Sequence, residues 1–293
     1  MPTYVVAGAT GRVGSVVARE LLALGATPRV FVRSESAARE WRGRGAEAAV
    51  GSLDDAAALT EALRGVTGFF TLLPENVPPD DFHGARRRMA DAFAAAIKAA
   101  DGPRVVMLSA LAAVLPEGSG PAKDLHYCEN VLRATGAPVA VLRACYFQEN
   151  VGAAVQTVLH AGVYPNFLGN ADRAIPMIAT RDVGRFAADA LVTWPALNAT
   201  VDLFGPTYSI RHVAERLGAA LGRPVQVVDV PPDEHVRALV AAGVPPAIAP
   251  ILAEMFASVA AGRVVPASER RLTGRTPIDE VIRACAERLP LKS

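Results

Sequence analysis

The 293-residue sequence predicts an α/β fold: a Rossmann-type, doubly wound parallel sheet with a smaller α+β lobe in its C-terminal part. Three observations carry this. Short apolar runs alternate with longer segments of helical spacing through the first half of the chain. A glycine-rich turn joins the first run to the first helical segment. The regular alternation ends near Asn150. Runs that are apolar at every position read as strands buried on both faces, as in a parallel sheet covered by helices.

The elements follow in order. A strand is expected at 4–7, then a helix with Val13, Val17, Leu21 and Leu24 at helical spacing. A second strand at 29–32 precedes an alanine-rich helix through about Arg42. A short third strand at 48–50 leads to Asp54 and Asp55, where an N-cap belongs, and a helix through about Leu63. A fourth strand at 68–73 is stopped by Pro74, and a long helix covers about 80–100. A fifth strand at 104–108, a helix at about 123–135 and a sixth strand at 139–142 complete the pattern. Beyond Asn150, helices, Pro-Gly turns and two short strand candidates, 200–203 and 225–230, are read as a smaller lobe over the open edge of the sheet.

Composition narrows the function. Hydrophobic residues make up 51%, ample for a large core. Thirty basic residues against 29 acidic ones leave a formal charge of +1. Bulk electrostatics therefore give no case for nucleic acid or an anionic membrane as partner. Cys128, Cys145 and Cys285 form no CxxC pair, and the histidines lack metal-ligand spacing, so reduced thiols and no metal are expected. No signal peptide is read ahead of the first strand, and the expected location is cytoplasmic. Residues 238–262 carry only Glu254 as a charge, but Pro245, Pro246 and Pro250 break any membrane span. They are expected as buried helices that help line a pocket.

The chemistry concentrates in Gly8-Ala9-Thr10-Gly11-Arg12-Val13-Gly14, between the first strand and the first helix. Glycines permit a tight turn and let backbone approach a pyrophosphate without a Cβ in the way. The helix start supplies free N–H donors and a positive dipole end. The spacing is GxxGxxG rather than GxGxxG. Its strand–turn–helix setting favours a dinucleotide site over a ligand-free turn. At the end of the second strand an NAD site usually offers an acidic residue to the ribose. Here stands Arg33, a fixed cationic fork that suits a 2′-phosphate, with Arg12 in the loop able to add charge and Glu35 nearby. NADP(H) is therefore the preferred cofactor, with NAD(H) as the alternative. A solvated surface arginine is the bland reading of Arg33.

The glycine loop, Val32-Arg33, Gly51-Ser52-Leu53-Asp54-Asp55, Val141-Leu142-Arg143 running into Phe147-Gln148-Glu149-Asn150, Ile178-Ala179-Thr180-Arg181-Asp182-Val183-Gly184 and Leu272-Thr273-Gly274-Arg275-Thr276-Pro277 occur in this order over nearly the whole chain. In these motifs the sequence resembles the NmrA-like group of atypical short-chain dehydrogenase/reductases, which includes NADPH-dependent quinone oxidoreductases. The resemblance implies an NAD(P)-binding Rossmann domain over 1–150, with 181–203 returning to it, and a substrate lobe from 151–180 and 204–293. It implies that Gly8, Thr10, Gly11, Arg12 and Val13 contact the cofactor phosphates and that Arg33 faces the adenosine ribose. Leu53 and Asp54 are implied near the adenine. Leu73, Pro74 and Ser109 are implied beside the nicotinamide half, with Tyr146 and Phe147 on a loop closing over it.

The catalytic assignment is weaker. Ordinary members of the superfamily pair a Ser with Tyr-x-x-x-Lys, the lysine lowering the tyrosine pKa for proton transfer. Here Ser109 and Tyr127 are candidates, but the residue four beyond the tyrosine is Val131. Lys123 lies one turn before it and His126 beside it. Each has a bland alternative: strand-end packing for Ser109, half-buried packing for Tyr127, a satisfied surface histidine for His126. Lys123 and Glu129 read most simply as helix-face charges, as does Arg86-Arg87-Arg88 at the start of the long helix. A quinone-like acceptor has less need of a protein acid, because water can protonate the product. The sequence thus predicts an NADPH-dependent oxidoreductase for a small apolar acceptor, quinone- or azo-like, held in an apolar cleft by a monomer or homodimer. A non-catalytic NADP(H)-binding redox sensor is the alternative. An epimerase or isomerase ranks third, for want of an identified proton-transfer residue.

Overall fold

A computed structural model describes residues 1–193 and 198–287. The interruption at 194–197 falls in the segment expected to return to the main domain, and the last six residues of the expected lobe also lie outside the described residues. The chain runs β1 (Thr3–Ala7), α1 (Arg12–Ala23), β2 (Thr27–Val32), α2 (Glu35–Arg42), β3 (Glu47–Val50), α3 (Ala56–Leu63), β4 (Gly68–Leu72) and α4 (Phe82–Ala99). It continues with β5 (Arg104–Ala110), α5 (Ala122–Arg133), β6 (Val139–Ala144), β7 (Tyr146–Phe147), α6 (Val155–Ala161), β8 (Val163–Asn166), β9 (Ile175–Ile178) and α7 (Thr180–Thr193). The last elements are β10 (Ala199–Phe204), β11 (Thr207–Tyr208), α8 (Ile210–Leu221), β12 (Gln226–Asp229), α9 (His235–Ala241), α10 (Ala249–Ala260), β13 (Arg270–Thr273) and α11 (Ile278–Glu287).

Eight strands form one sheet in the order β13-β10-β6-β5-β4-β1-β2-β3, and every neighbouring pair is parallel. Side chains alternate between two cores, as the period of a strand requires. Val6, Val30, Phe70 and Val106 face one layer with α1, α2 and α7. Val5, Phe31, Phe69 and Val105 face the other with α3, α4 and α5. Each such side chain, fully buried, contributes about 1.5–3 kcal/mol. α1 and α7 touch closely because Gly184 has no side chain: a Cβ there would stand 2.5 Å from that of Val16.

The strand at 200–203, read from its run as part of the lobe and set by the resemblance in the returning segment 181–203, pairs with β6 in the main sheet and carries β13 on its far side. Its short apolar run gives no hint of which sheet it joins; pairing partner is a tertiary choice. The expected strand at 225–230 pairs instead with β8 in a two-stranded sheet. Around it a third core collects Val158, Tyr164, Met177, Leu217 and Ile282. The apolar stretch 238–262 forms α9 and α10, but these are largely half-exposed rather than buried, with Ala249 and Ser258 the buried residues of α10. No helix among the described residues is long and apolar enough to cross a membrane.

Candidate functional site

The chain leaves β1 through α1 to β2 and β3 on one side, then returns through α3 to β4 on the other side of β1. The two crossovers diverge between β1 and β4. This is the point, at the carboxyl ends of the strands, where open α/β sheets form the crevice that binds ligands.

The glycine loop lines this crevice. Gly8 adopts φ +67°, a left-handed conformation that favours glycine, and its carbonyl accepts from the Gly11 N–H at 2.8 Å. A Cβ on Gly14 would overlap the Gly8 carbonyl oxygen, and one on Gly11 would stand 3.2 Å from it. Gly11 is the N-cap of α1 and no side chain caps that helix. Thr10, Gly11 and Arg12 are exposed while Val13 is buried in the core and anchors the turn. The first turn of a 12-residue helix thus presents uncapped amides and its positive dipole end. This is a cradle that side chains would fill, and it fits a dinucleotide pyrophosphate.

At the end of β2, Arg33 is exposed, and Ser34 caps α2 by accepting from the Ala37 N–H. Neither Arg12 nor Arg33 has an ion-pair partner among the described residues, unlike Arg29, Arg42 and Arg44 nearby. At the end of β3, Gly51 donates to the Val32 carbonyl at 2.9 Å, and a Cβ there would stand 2.6 Å from the Phe31 ring. Asp55, not Asp54, caps α3, accepting from the Ala57 and Ala58 amides at 3.0 Å each. Asp54 is exposed and accepts from the Ser52 hydroxyl, while Leu53 is half-buried against the second core.

On the other side of the crevice, Leu73 is buried and Pro74 half-buried after β4. Ser109, near the end of β5, is buried and donates to Glu129 Oε1 at 2.6 Å. Glu129 also receives Arg143 through Nε (3.0 Å) and Nη2 (2.6 Å), and Arg133 at 3.2 Å. Arg143 is the register partner of Ser109 on β6, so one carboxylate joins β5, β6 and α5. Burial opposes the charge of Arg143, but the hydrogen bonds and charge of Glu129 outweigh it and hold its pKa above the usual value.

Ser109, Tyr127 and His126, three of the four candidate proton donors, each have a different partner. Tyr127 turns to α4, where its hydroxyl donates to Asp91 at 2.7 Å and the Arg87 guanidinium covers its ring. The bond to Asp91, then burial, raises the phenol pKa. Two positions on, Glu129 faces the sheet, so Tyr127 and Ser109 are not brought together. His126 is held by the Ala113 carbonyl at 2.8 Å. Lys123 is half-buried on the same helix. Among the described residues no group of His, Cys, Asp or Glu could hold a metal ion.

Two assignments from the sequence change. Glu129 is buried rather than a helix-face charge, and Arg86 is 1% exposed while Arg87 and Arg88 are exposed. The signal for Arg86 was present in its helical register: it shares the buried stripe of Phe82, Ala90, Phe93 and Ile97.

The lobe meets the main sheet through β7, whose alternation sends Tyr146 to the lobe core and Phe147 to the main core. Gln148 donates to the carbonyls of Met177 (3.0 Å) and Thr276 (2.8 Å). Glu149 accepts from the Thr180 amide and hydroxyl at 2.9 and 2.6 Å, at the start of α7. Asp182 accepts from the Thr276 amide at 2.9 Å. Three motifs distant in sequence therefore form one knot. α10 lies over the loop following β5, with Glu254 accepting from the Gly120 amide at 3.2 Å and Ser258 donating to the Gly118 carbonyl. A broad hollow elsewhere, about 770 Å³ beside β3, is lined by Arg29, Glu47, Glu61 and Arg64, which pair among themselves and not with the glycine loop.

Similarity to known proteins follows the same outline. The chain is 28% identical over 253 residues to the NAD(P)H azoreductase of Xenophilus azovorans, covering 86% of this chain and 85% of that protein. It is 31% identical over 274 residues to the (4-alkanoyl-5-oxo-2,5-dihydrofuran-3-yl)methyl phosphate reductase of Streptomyces griseus, covering 92% of each. The fold is that of the Escherichia coli NADPH-dependent quinone oxidoreductase solved with NADPH, with a TM-score of 0.79 at 22% identity over 96% of this chain and 98% of that one. The model of the NmrA-like family matches residues 2–289, taking in the glycine loop, the interlobe knot and every strand of the main sheet, and the chain belongs to that family.

Proposed function

We propose that this protein is an NADP(H)-dependent oxidoreductase that passes hydride to a small apolar acceptor of quinone or azo type. The observation that carries it is the uncapped start of α1, flanked by Arg12 and Arg33 with no partner among the described residues. The azoreductase and the furan phosphate reductase among its relatives support a reductive activity.

In this reading the amides of Arg12 and Val13 and the Thr10 hydroxyl hold the pyrophosphate, with Gly8 and the Gly11 amide that it binds supplying the turn. Arg33, helped by Arg12, takes the 2′-phosphate as a charge-assisted pair. Leu53 and Asp54 border the adenine. Leu73, Pro74 and Ser109 border the nicotinamide, and Tyr146 and Phe147 close the far side. The bound nicotinamide supplies a hydride donor. The residues around it position the acceptor and exclude water, a contribution that can reach several kcal/mol. Ser109, Tyr127 and His126 are engaged by Glu129, Asp91 and the Ala113 carbonyl, and in this reading the product takes its proton from water. Residues 1–150 with 181–203 form the cofactor domain and 151–180 with 204–293 the substrate lobe, except that β13 lies in the main sheet. The protein is read as a cytoplasmic monomer or homodimer that acts on small molecules rather than nucleic acid.

Mixing the protein with NADPH and a panel of quinones and azo dyes, and following nicotinamide absorbance, tests this. Acceptor-dependent oxidation of NADPH is expected. Tight NADPH binding with no turnover of any acceptor contradicts it and leaves the redox-sensor reading. That second reading is favoured only by the engaged proton donors, and it requires unequal affinities for NADPH and NADP⁺.

A further inference from the structure

We infer that Arg86 is a positioning residue that locks together the two loops flanking the nicotinamide half of the crevice. The inference rests on the reading of that crevice given above.

The side chain arises from α4 and is 1% exposed. Its Nη1 donates to the carbonyls of Pro74 at 2.8 Å and Leu73 at 3.3 Å, on the loop leaving β4. Its Nη2 donates to the Pro121 carbonyl at 3.1 Å, on the loop leaving β5. Nε donates to Asp124 Oδ2 at 3.2 Å, in the first turn of α5. One planar fork thus fixes backbone from two strands that end side by side at the crevice. Asp124 is fully buried, with His83 Nδ1 2.7 Å from the same oxygen and Arg87 Nε 3.5 Å from the other. Beyond Pro121 the brace continues, because Gly118 and Gly120 receive α10 of the substrate lobe.

Stability alone is a poor reason for this arrangement. Burying a guanidinium carries a desolvation penalty, and an apolar side chain of similar volume often packs as well. Burial lowers the Arg86 pKa, and Asp124 opposes the shift. What an apolar replacement cannot supply is a rigid set of donors aimed at three carbonyls. Those carbonyls set where the walls of the nicotinamide pocket stand, and reaction geometry is sensitive to ångström-scale displacement. Lysine, a point charge on a flexible stem, cannot span both loops.

The test uses Arg86→Lys, Arg86→Met and Asp124→Asn in the full chain. Amide hydrogen exchange without cofactor should show 72–77 and 117–123 accelerating together in all three variants, with 8–14 unchanged. Exchange that rises in only one loop, or in neither, in folded variants overturns the proposal. Unfolding of all three variants assigns Arg86 to stability alone and overturns it as well. With an acceptor that the wild type reduces, kcat should fall about 10–100-fold while NADPH affinity and acceptor KM move less than about threefold. The isotope effect with 4-deuterated NADPH should rise. Unchanged kcat, or cofactor affinity lost in proportion to it, contradicts the role. Failure of the wild type to reduce any acceptor defeats the oxidoreductase reading, while the exchange result still decides the brace.

Discussion

At the scale of single residues, cofactor choice rests on Arg33. Its guanidinium is exposed at the end of β2 beside the crevice, where an acidic residue would favour an unphosphorylated ribose. A charge-assisted bond to phosphate is worth about 1.5–3 kcal/mol. Arg33→Ala should therefore weaken NADPH about tenfold to a hundredfold and NADH less than about threefold. Equal losses, measured by fluorescence titration, would remove the residue from the 2′-phosphate. Tyr127 gives the opposite expectation. Its hydroxyl serves Asp91 on α4, so Tyr127→Phe should keep acceptor turnover within about twofold. A drop of a hundredfold would restore it as a proton donor. Sequence alone could nominate Tyr127, because it stands on the right helix, but could not tell which face of α5 meets the crevice. Charge suggests solvent for Arg86 and Glu129 alike; the helical register of Arg86 with Phe82, Ala90 and Phe93 contradicts that reading, whereas for Glu129 only the packed partners Ser109 and Arg143 reveal the burial.

At the scale of elements, the β1–α1 unit was legible almost in full. Its apolar run, its three glycines and the helical spacing of Val13, Val17 and Leu21 all point to one geometry. Gly14 is the sharpest test of that unit. A methyl group there meets the Gly8 carbonyl, so the turn must shift away from its binding conformation. Gly14→Ala should cost about a hundredfold or more in NADPH affinity while the far-UV circular dichroism is retained. Undiminished affinity would mean that the loop amides do not grip the cofactor. The strands after Asn150 were less legible. β13 is short, and strand periodicity carries no information about the pairing of β10 with β13 across more than sixty residues of sequence. The polar knot of Gln148, Glu149, Asp182 and Thr276 was visible as motifs, and its hydrogen bonds became evident only once the chain had folded.

Across the whole molecule, three cores and buried polar joints act together, and burial leaves a signature in the pH dependence of stability. Burial raises the Cys145 thiol from 9.0 to about 12, with backbone hydrogen bonds opposing the shift. Burial likewise raises Cys128. The folded chain keeps these protons to higher pH than the unfolded chain does. Above about pH 9 the unfolded state therefore binds fewer protons, and stability falls as pH rises. Cys145→Ala should flatten this decline between pH 9 and 11, even where the cavity it leaves lowers stability overall. Denaturant midpoints measured across that range provide the check, and an unchanged slope would remove Cys145 as a contributor.

The cofactor crevice joins these scales, because the amides at the start of α1, the arginines at its rim and the lobe across from it have to serve one ligand. Calorimetric titration of the protein with NADPH addresses this most directly. One dinucleotide per chain, bound more tightly than NADH and more weakly as salt rises, is the predicted result. No heat with either nucleotide, at protein concentrations well above micromolar, would contradict it.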